Sequence, residues 1–389
     1  MSSASIEFTA QELMAHARAS TGINFIDSEI EEPLTELLKA LNAEAKLSEA
    51  GAKGITSRIS RVLNNRLRMQ RDFQAHPEIN QILIKQPVFI TSPPRTGSTK
   101  LHKLLSMSSD FRYLRCWQGQ SLALRTGNRD EDIAPRIADS EAENAFFNTQ
   151  SPQAKLVHEY STFEPEEDVL IYEHFLYAHY ICSFAFVPSY VQWYAQQRDV
   201  EKELAFLRQT LKYLQWQFYQ EQAERWVLKA PHYNGSEDLV LKLFPDAKFV
   251  ITHRDPVKSA SSLPSLFASF LKAYSDADWN EVVGPMALAG LGNLAQLHLS
   301  VRESRADIPF LDISYSKLTT DIEPVIHSLY EYLDMPLKQA SLQRMLDWNE
   351  LNKQHKLGVH KHTLEEYSLD QETVENNLAD YINRFRAYF

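Results

Sequence analysis

PVFITSPPRTGSTKLHKLL, residues 87–105, is the stretch on which the reading of this chain turns. Val88-Phe89-Ile90 is a short apolar run of strand type, and it enters a Pro-Pro turn. A Gly/Ser/Thr loop follows, and near residue 99 apolar residues begin to recur at helical spacing. Strand, tight loop and helix N-terminus together make an anion site, because backbone N–H groups and the helix dipole face one point. Gly97 permits close backbone approach, Ser98 and Thr99 add hydroxyls, and Arg95 brings a permanent charge in a planar fork suited to oxyanions. The pattern is not that of an ATP or GTP loop. With Gly97 taken as the second glycine of GxxxxGK[ST], the first becomes Ser92 and the lysine becomes Ser98, with Lys100 two positions too late.

Working outward, WVLKAP (226–231) and KFVITH (248–253) read as further buried strands, and Pro309 to Ile313 as a fourth. Between them, GSEDLVLKLF reads as a helix capped by Ser236 with two acids in its first turn. Asp255-Pro256 opens another, with Asp as N-cap and Pro at the first helical position. Strands alternating with helices predict an α/β fold in three layers, a central parallel sheet flanked by helices. Ligands of such sheets bind beyond the carboxyl ends of the strands. Residues 1–85 read as an N-terminal helical appendage, with capping-box spacing at Thr9–Glu12 and Ser28–Glu31. Residues 86–389 form the main domain, with a helical, aromatic-rich insertion at 140–222.

Composition narrows the function. The 389 residues carry a net charge of −11, which argues against a nucleic-acid polymer as partner. Two cysteines give no disulfide framework and fit a reducing cytoplasm. The N-terminus has no apolar core of signal-peptide type. The most membrane-like run, 169–187, contains Glu173, His174 and His179, so a buried or pocket-lining helix is expected rather than a span. His174 and His179 are five apart, not the four of a helical metal pair, and no metal is expected.

A second anion motif stands at ITHRDPVKSASSL, 251–263. Arg254 lies at a strand end, and Ser261 and Ser262 fall in the second turn of the next helix, where arginine and hydroxyls can share one phosphate. Taken singly, each motif is also compatible with an ordinary strand–turn–helix corner or a solvated arginine. Taken in order they resemble the 5′-phosphosulfate loop and the 3′-phosphate motif of sulfotransferases. WVLKAPH, FPDAKFVITHRDP, EPEEDV (164–169) and the tail VHKHTLEEYSLDQ resemble the bacterial and Golgi-type branch of that family, so the likeness covers roughly 87–385.

The resemblance implies a P-loop-like fold and 3′-phosphoadenosine-5′-phosphosulfate (PAPS) as donor, with no metal. It places Arg95, Thr96, Gly97, Ser98, Thr99 and Lys100 at the phosphosulfate, and Arg254 and Ser262 at the 3′-phosphate, where Lys361 of the tail is a further candidate. His232 is the expected general base and Lys229 the cation beside the transferred group, since a His after a strand-end Lys is the pattern of the cytosolic branch. Relatives that use a glutamate soon after the loop helix have no counterpart here, where Gln118 stands; Glu164, Glu166 and Glu167 remain alternatives. The expected acceptor is a small-molecule hydroxyl, with the aromatics of 172–194 as walls for a hydrophobic one. A P-loop kinase and a nucleotide-binding protein without catalysis are the rival readings.

Overall fold

A computed structural model of the protein describes residues 4–25, 27–154, 158, 160–176, 181–221, 223, 225–353 and 362–389. The chain divides into two compact units. One comprises 1–83, 115–220 and 267–278; the other comprises 84–114, 221–266 and 279–389.

The second unit holds a five-stranded sheet. Its strands are β1 (Val88–Ile90), β2 (Phe111–Arg112), β3 (Arg225–Lys229), β4 (Lys248–His253) and β5 (Phe310–Ser314), in the spatial order β2-β3-β1-β4-β5. Every neighbouring pair is parallel. β1 is buried at all three positions, as an apolar run between two covered faces requires. The four expected strands are present. β2 was not expected, because two residues are too few for any periodicity to register. Register sets Ile90 level with Lys229 on one side and with Val250 on the other. The carboxyl ends of β3 and β1 therefore stand side by side, and β4 runs on past them to His253.

Core packing on one side of the sheet joins Val88, Ile90, Val227 and Val250 to Leu101, Leu104 and Leu105 of the helix Ser98–Ser106. Ile326, Leu329 and Tyr330 of the helix Ile322–Tyr332 belong to the same cluster. The helix Asn280–Ser304 is long and apolar enough to cross a membrane by length and composition. Its residues Val283, Ala287, Leu291 and Leu299 are nevertheless buried inside the fold, while Val282, Met286 and Leu297 stand exposed on the other face.

The first unit is helical. Thr9 and Glu12 form the expected capping box on Ala10–Thr21. The second expected box does not form: the helix Glu31–Glu44 begins behind Ile30 without a side-chain cap. Pro33 suits a start there, since the first N–H groups of a helix have no intrahelical acceptor to lose. The Arg-rich segment is one long helix, Glu49–Ala75, whose polar side is partly buried. Arg58 and Arg61 both pair with Glu173 and Glu143. Residues 169–187 do not form one long helix: Val169–Glu173 is a single short turn of it. Of the aromatics of 172–194, Tyr172, Phe184, Tyr190 and Tyr194 are buried; Phe184 stacks on Phe270, and the Tyr194 hydroxyl donates to Glu203. Tyr177 and Tyr180 lie outside the described residues.

Candidate active site

The anion loop leaves β1 at Thr91, whose N–H donates to Val250 O at 3.0 Å. Two loop residues take left-handed backbone angles, Arg95 at φ 67° and Gly97 at φ 93°. For arginine that conformation is uncommon and costs energy, so the surrounding fold must impose it. Gly97 is the N-cap of the helix Ser98–Ser106, and no side chain caps that helix. Its first-turn N–H groups are thus left for an anion. A Cβ on Gly97 would lie 2.8 Å from the Tyr315 ring, so the position also needs glycine for space.

The two sequence motifs meet in space. Arg95 Nε donates to Ser262 Oγ at 2.9 Å, and Arg254 Nη1 donates to the Arg95 carbonyl at 3.0 Å. The Arg254 guanidinium also lies 4.5 Å over the Tyr315 ring. Ser262 is buried, in the helix Pro256–Lys272, which is capped as expected: Asp255 Oδ1 accepts the Val257 N–H at 3.0 Å. The Thr96 hydroxyl is used inside the fold. It donates to Pro93 O at 2.6 Å and stands 2.8 Å from the Thr252 hydroxyl, so its backbone N–H is what a ligand would meet.

Lys229 ends β3. It is 2% exposed, and its Nζ reaches Thr99 Oγ1 at 3.4 Å. Lys100 lies one position on in the same helix, and partial burial lowers its pKa. His232 sits in the short turn Pro231–Tyr233, half-buried, with its ring 4.6 Å from that of Tyr233. Arg95, Thr96, Gly97, Ser98, Thr99, Lys100, Lys229, His232, Arg254 and Ser262 all belong to the sheet-bearing unit. Lys361 lies outside the described residues. Tyr315, which packs against both Gly97 and Arg254, was not foreseen; its place just after β5 was the available signal.

The alternative acids belong to the other unit. Glu166 is buried: its Oε2 is 3.1 Å from His158 Nε2, and its Oε1 accepts the Glu167 N–H at 2.8 Å. The Gln118 side chain accepts the Arg115 N–H at 3.0 Å and so caps its own short helix. His174 has both ring nitrogens engaged, Nδ1 with Leu170 O and Nε2 with Asn65, and burial drives its pKa down to about 3. His179 lies outside the described residues. Among the described residues, no group of three or more His, Cys, Asp or Glu is placed to hold a metal.

Comparison with known proteins gives the family. A family model described as the sulfotransferase family matches residues 87–339. The omega-hydroxy-beta-dihydromenaquinone-9 sulfotransferase Stf3 of Mycobacterium tuberculosis, and that of Mycobacterium bovis, are each 23% identical over 317 residues, 78% of this chain and 76% of theirs. The crystal structure of sulfotransferase STF9 from Mycobacterium avium superposes with a TM-score of 0.83 at 25% identity, over 97% of this chain and 96% of that one. Sulfotransferase STF1 from Mycobacterium tuberculosis H37Rv has the same fold, with a TM-score of 0.76 at 24% identity over 97% of this chain and all of that one. The family model spans more than half of the chain, including the β1 loop and the end of β4, and the chain belongs to the sulfotransferase family.

Proposed function

We propose that this enzyme transfers the sulfuryl group of PAPS to the hydroxyl of a hydrophobic small molecule. The observation that carries the reading is the Ser262–Arg95–Arg254 connection, with Arg95 bonded to both, which links the two anion motifs. A single phosphate loop serves any nucleotide; a second cationic site bonded to it suits a nucleotide with a further, 3′-phosphate. The residues present fit that donor, with two arginines, a buried serine and an uncapped helix N-terminus.

The donor supplies an activated S–O bond. The chain's own part is positioning and charge stabilisation, which dominate transfer of a charged group between two oxygens. Lys229, held at Thr99, places a cation beside the transferred group and the leaving phosphate oxygen. His232 takes the proton of the acceptor hydroxyl as its oxygen bonds to sulfur. The S–O bond to the nucleotide breaks in the same displacement, and 3′-phosphoadenosine-5′-phosphate (PAP) leaves with both electrons of that bond. Nothing is oxidised or reduced.

The acceptor class rests on the Stf3 relatives, named for omega-hydroxy-beta-dihydromenaquinone-9. It agrees with the aromatic content of the helical region. A P-loop kinase is disfavoured by Ser98 in place of the loop lysine.

The test is a screen of hydrophobic alcohols, phenols and glycans with 35S-labelled donor, alongside calorimetry of PAP and ATP. Labelled product from an apolar alcohol and tighter binding of PAP than of ATP are expected. Tighter binding of ATP would sink the donor assignment. For the base, His232→Ala should lose about 100-fold or more in turnover while still binding PAP, the typical scale of general base catalysis. Near-normal turnover would exclude His232.

A further inference from the structure

The helix after β3 begins with an acid whose surroundings are unusual for that place. Acids in a first helical turn ordinarily sit at the surface, facing the dipole. Glu237 is instead 0% exposed, and its side chain turns back on the loop before it. Its Oε2 accepts the Gly235 N–H at 2.8 Å. Its Oε1 lies 3.4 Å from the Thr91 hydroxyl, which donates to it, and 3.1 Å from His298 Nδ1. A carboxylate can only accept, and here both oxygens are engaged.

Each of these partners belongs to a different part of the site. Gly235 comes three residues after His232, in the bend that directly follows the Pro231–Tyr233 turn and is bonded to it through Ser236 N–H and Tyr233 O. Thr91 is the first residue beyond β1, where the anion loop begins. His298 lies on the helix Asn280–Ser304, and a chain of bonds fixes it in turn. Arg302 Nε donates to His298 Nε2 at 3.1 Å; since arginine can only donate, His298 Nδ1 must carry the proton given to Glu237. Arg302 pairs with Asp312 of β5, and Asp312 accepts from His253 Nε2 at 2.8 Å. His253 immediately precedes Arg254. Gly235 completes the arrangement: at φ 82° it lies so close to the helix that a Cβ would fall 2.2 Å from Leu297 Cβ.

We propose that Glu237 is a positioning residue, whose buried carboxylate ties the turn bearing His232 to the strand end that starts the anion loop. This rests on the reading of His232 as base. It goes beyond it in assigning what holds the base in register with the loop. Without Glu237, the 231–236 turn keeps its contact with Leu297 and loses its bond to the β1 end.

The test compares Glu237→Ala and Glu237→Gln with the wild type in the full chain. Amide hydrogen exchange, PAP calorimetry and sulfuryl turnover are measured on each. Losing a charged hydrogen bond at Gly235 should speed exchange across 231–236 by about 10-fold or more, with β3 and β4 protected as before. The PAP dissociation constant should stay within about 3-fold, while kcat falls about 10-fold at unchanged KM for the donor. Gln keeps one acceptor oxygen for Gly235 and should fall between Ala and wild type. Unchanged exchange at 231–236 would overturn the proposal. So would loss of protection spread evenly over the sheet, which would mark a residue of general stability. Failure of the wild type to bind PAP would sink the donor reading and leave the exchange result standing.

Discussion

At the scale of single residues, Gly97 carries two requirements at once. Its φ of 93° lies in the region that glycine adopts without cost, and its missing side chain makes room for Tyr315. Gly97→Ala therefore pays a backbone strain of about 1–3 kcal/mol in addition to a clash with an aromatic ring. Chemical denaturation should show that loss. In Gly97→Ala/Tyr315→Ala the clash is gone and the strain stays, so the two losses should fall short of additivity by at least about 0.5 kcal/mol. Strict additivity would mean that Tyr315 is not what confines the loop. The glycine, Arg95, Arg254 and Ser262 were legible in the sequence because loop chemistry is local: residue types at fixed offsets after a strand. Tyr315 and Glu237 were not. Their roles depend on contacts with residues 218 and 146 positions away, and no spacing rule reports those.

At the scale of elements, the long helix Glu49–Ala75 shows why a polar stretch need not be surface. Arg58 and Arg61 stand three apart, on one helical face, and both reach Glu173, which is 2% exposed. Burial alone would raise the Glu173 pKa. The two guanidinium groups outweigh that and hold it down at about 2. A carboxyl depressed in the folded state contributes stability above its unfolded pKa near 4.5, and that contribution fades as pH falls toward 2. Glu173→Gln should cost about 3–5 kcal/mol at neutral pH, because two buried arginines lose their counter-charge. The gap between wild type and variant in urea titrations should then narrow steadily from pH 4.5 down to 2. A gap that stays constant with pH would show that the ion cluster is not what Glu173 contributes. The helix itself could be read from its sequence. That its charges face inward could not, since the acids that satisfy them come more than 80 residues later. β2 was hidden for a different reason: two residues become a strand only because β3 stands beside them.

At the scale of the whole molecule, a chain with a net charge of −11 is read as binding a polyanion. The general field opposes such a ligand, so affinity must come from local groups; in the proposed site these are Arg95, Arg254, Lys100, Lys229 and the N–H groups of the loop helix. That arrangement makes binding selective. On the proposed reading, a nucleotide that engages the whole cationic set overcomes the field, and one lacking the 3′-phosphate loses the Arg254–Ser262 part of it, at about 1.5–3 kcal/mol for each charged hydrogen bond. PAP at 100 times its dissociation constant should stabilise the protein by about 2.7 kcal/mol. For a cooperative unit of about 150–250 residues that is a rise in Tm of about 5–10 °C. ADP at the same concentration should raise it by less than about 2 °C, and in Arg254→Ala the two nucleotides should become nearly equal. Equal shifts for PAP and ADP in the wild type would mean that the site does not read the 3′-phosphate, and that the Arg95–Ser262 bond is a feature of packing alone.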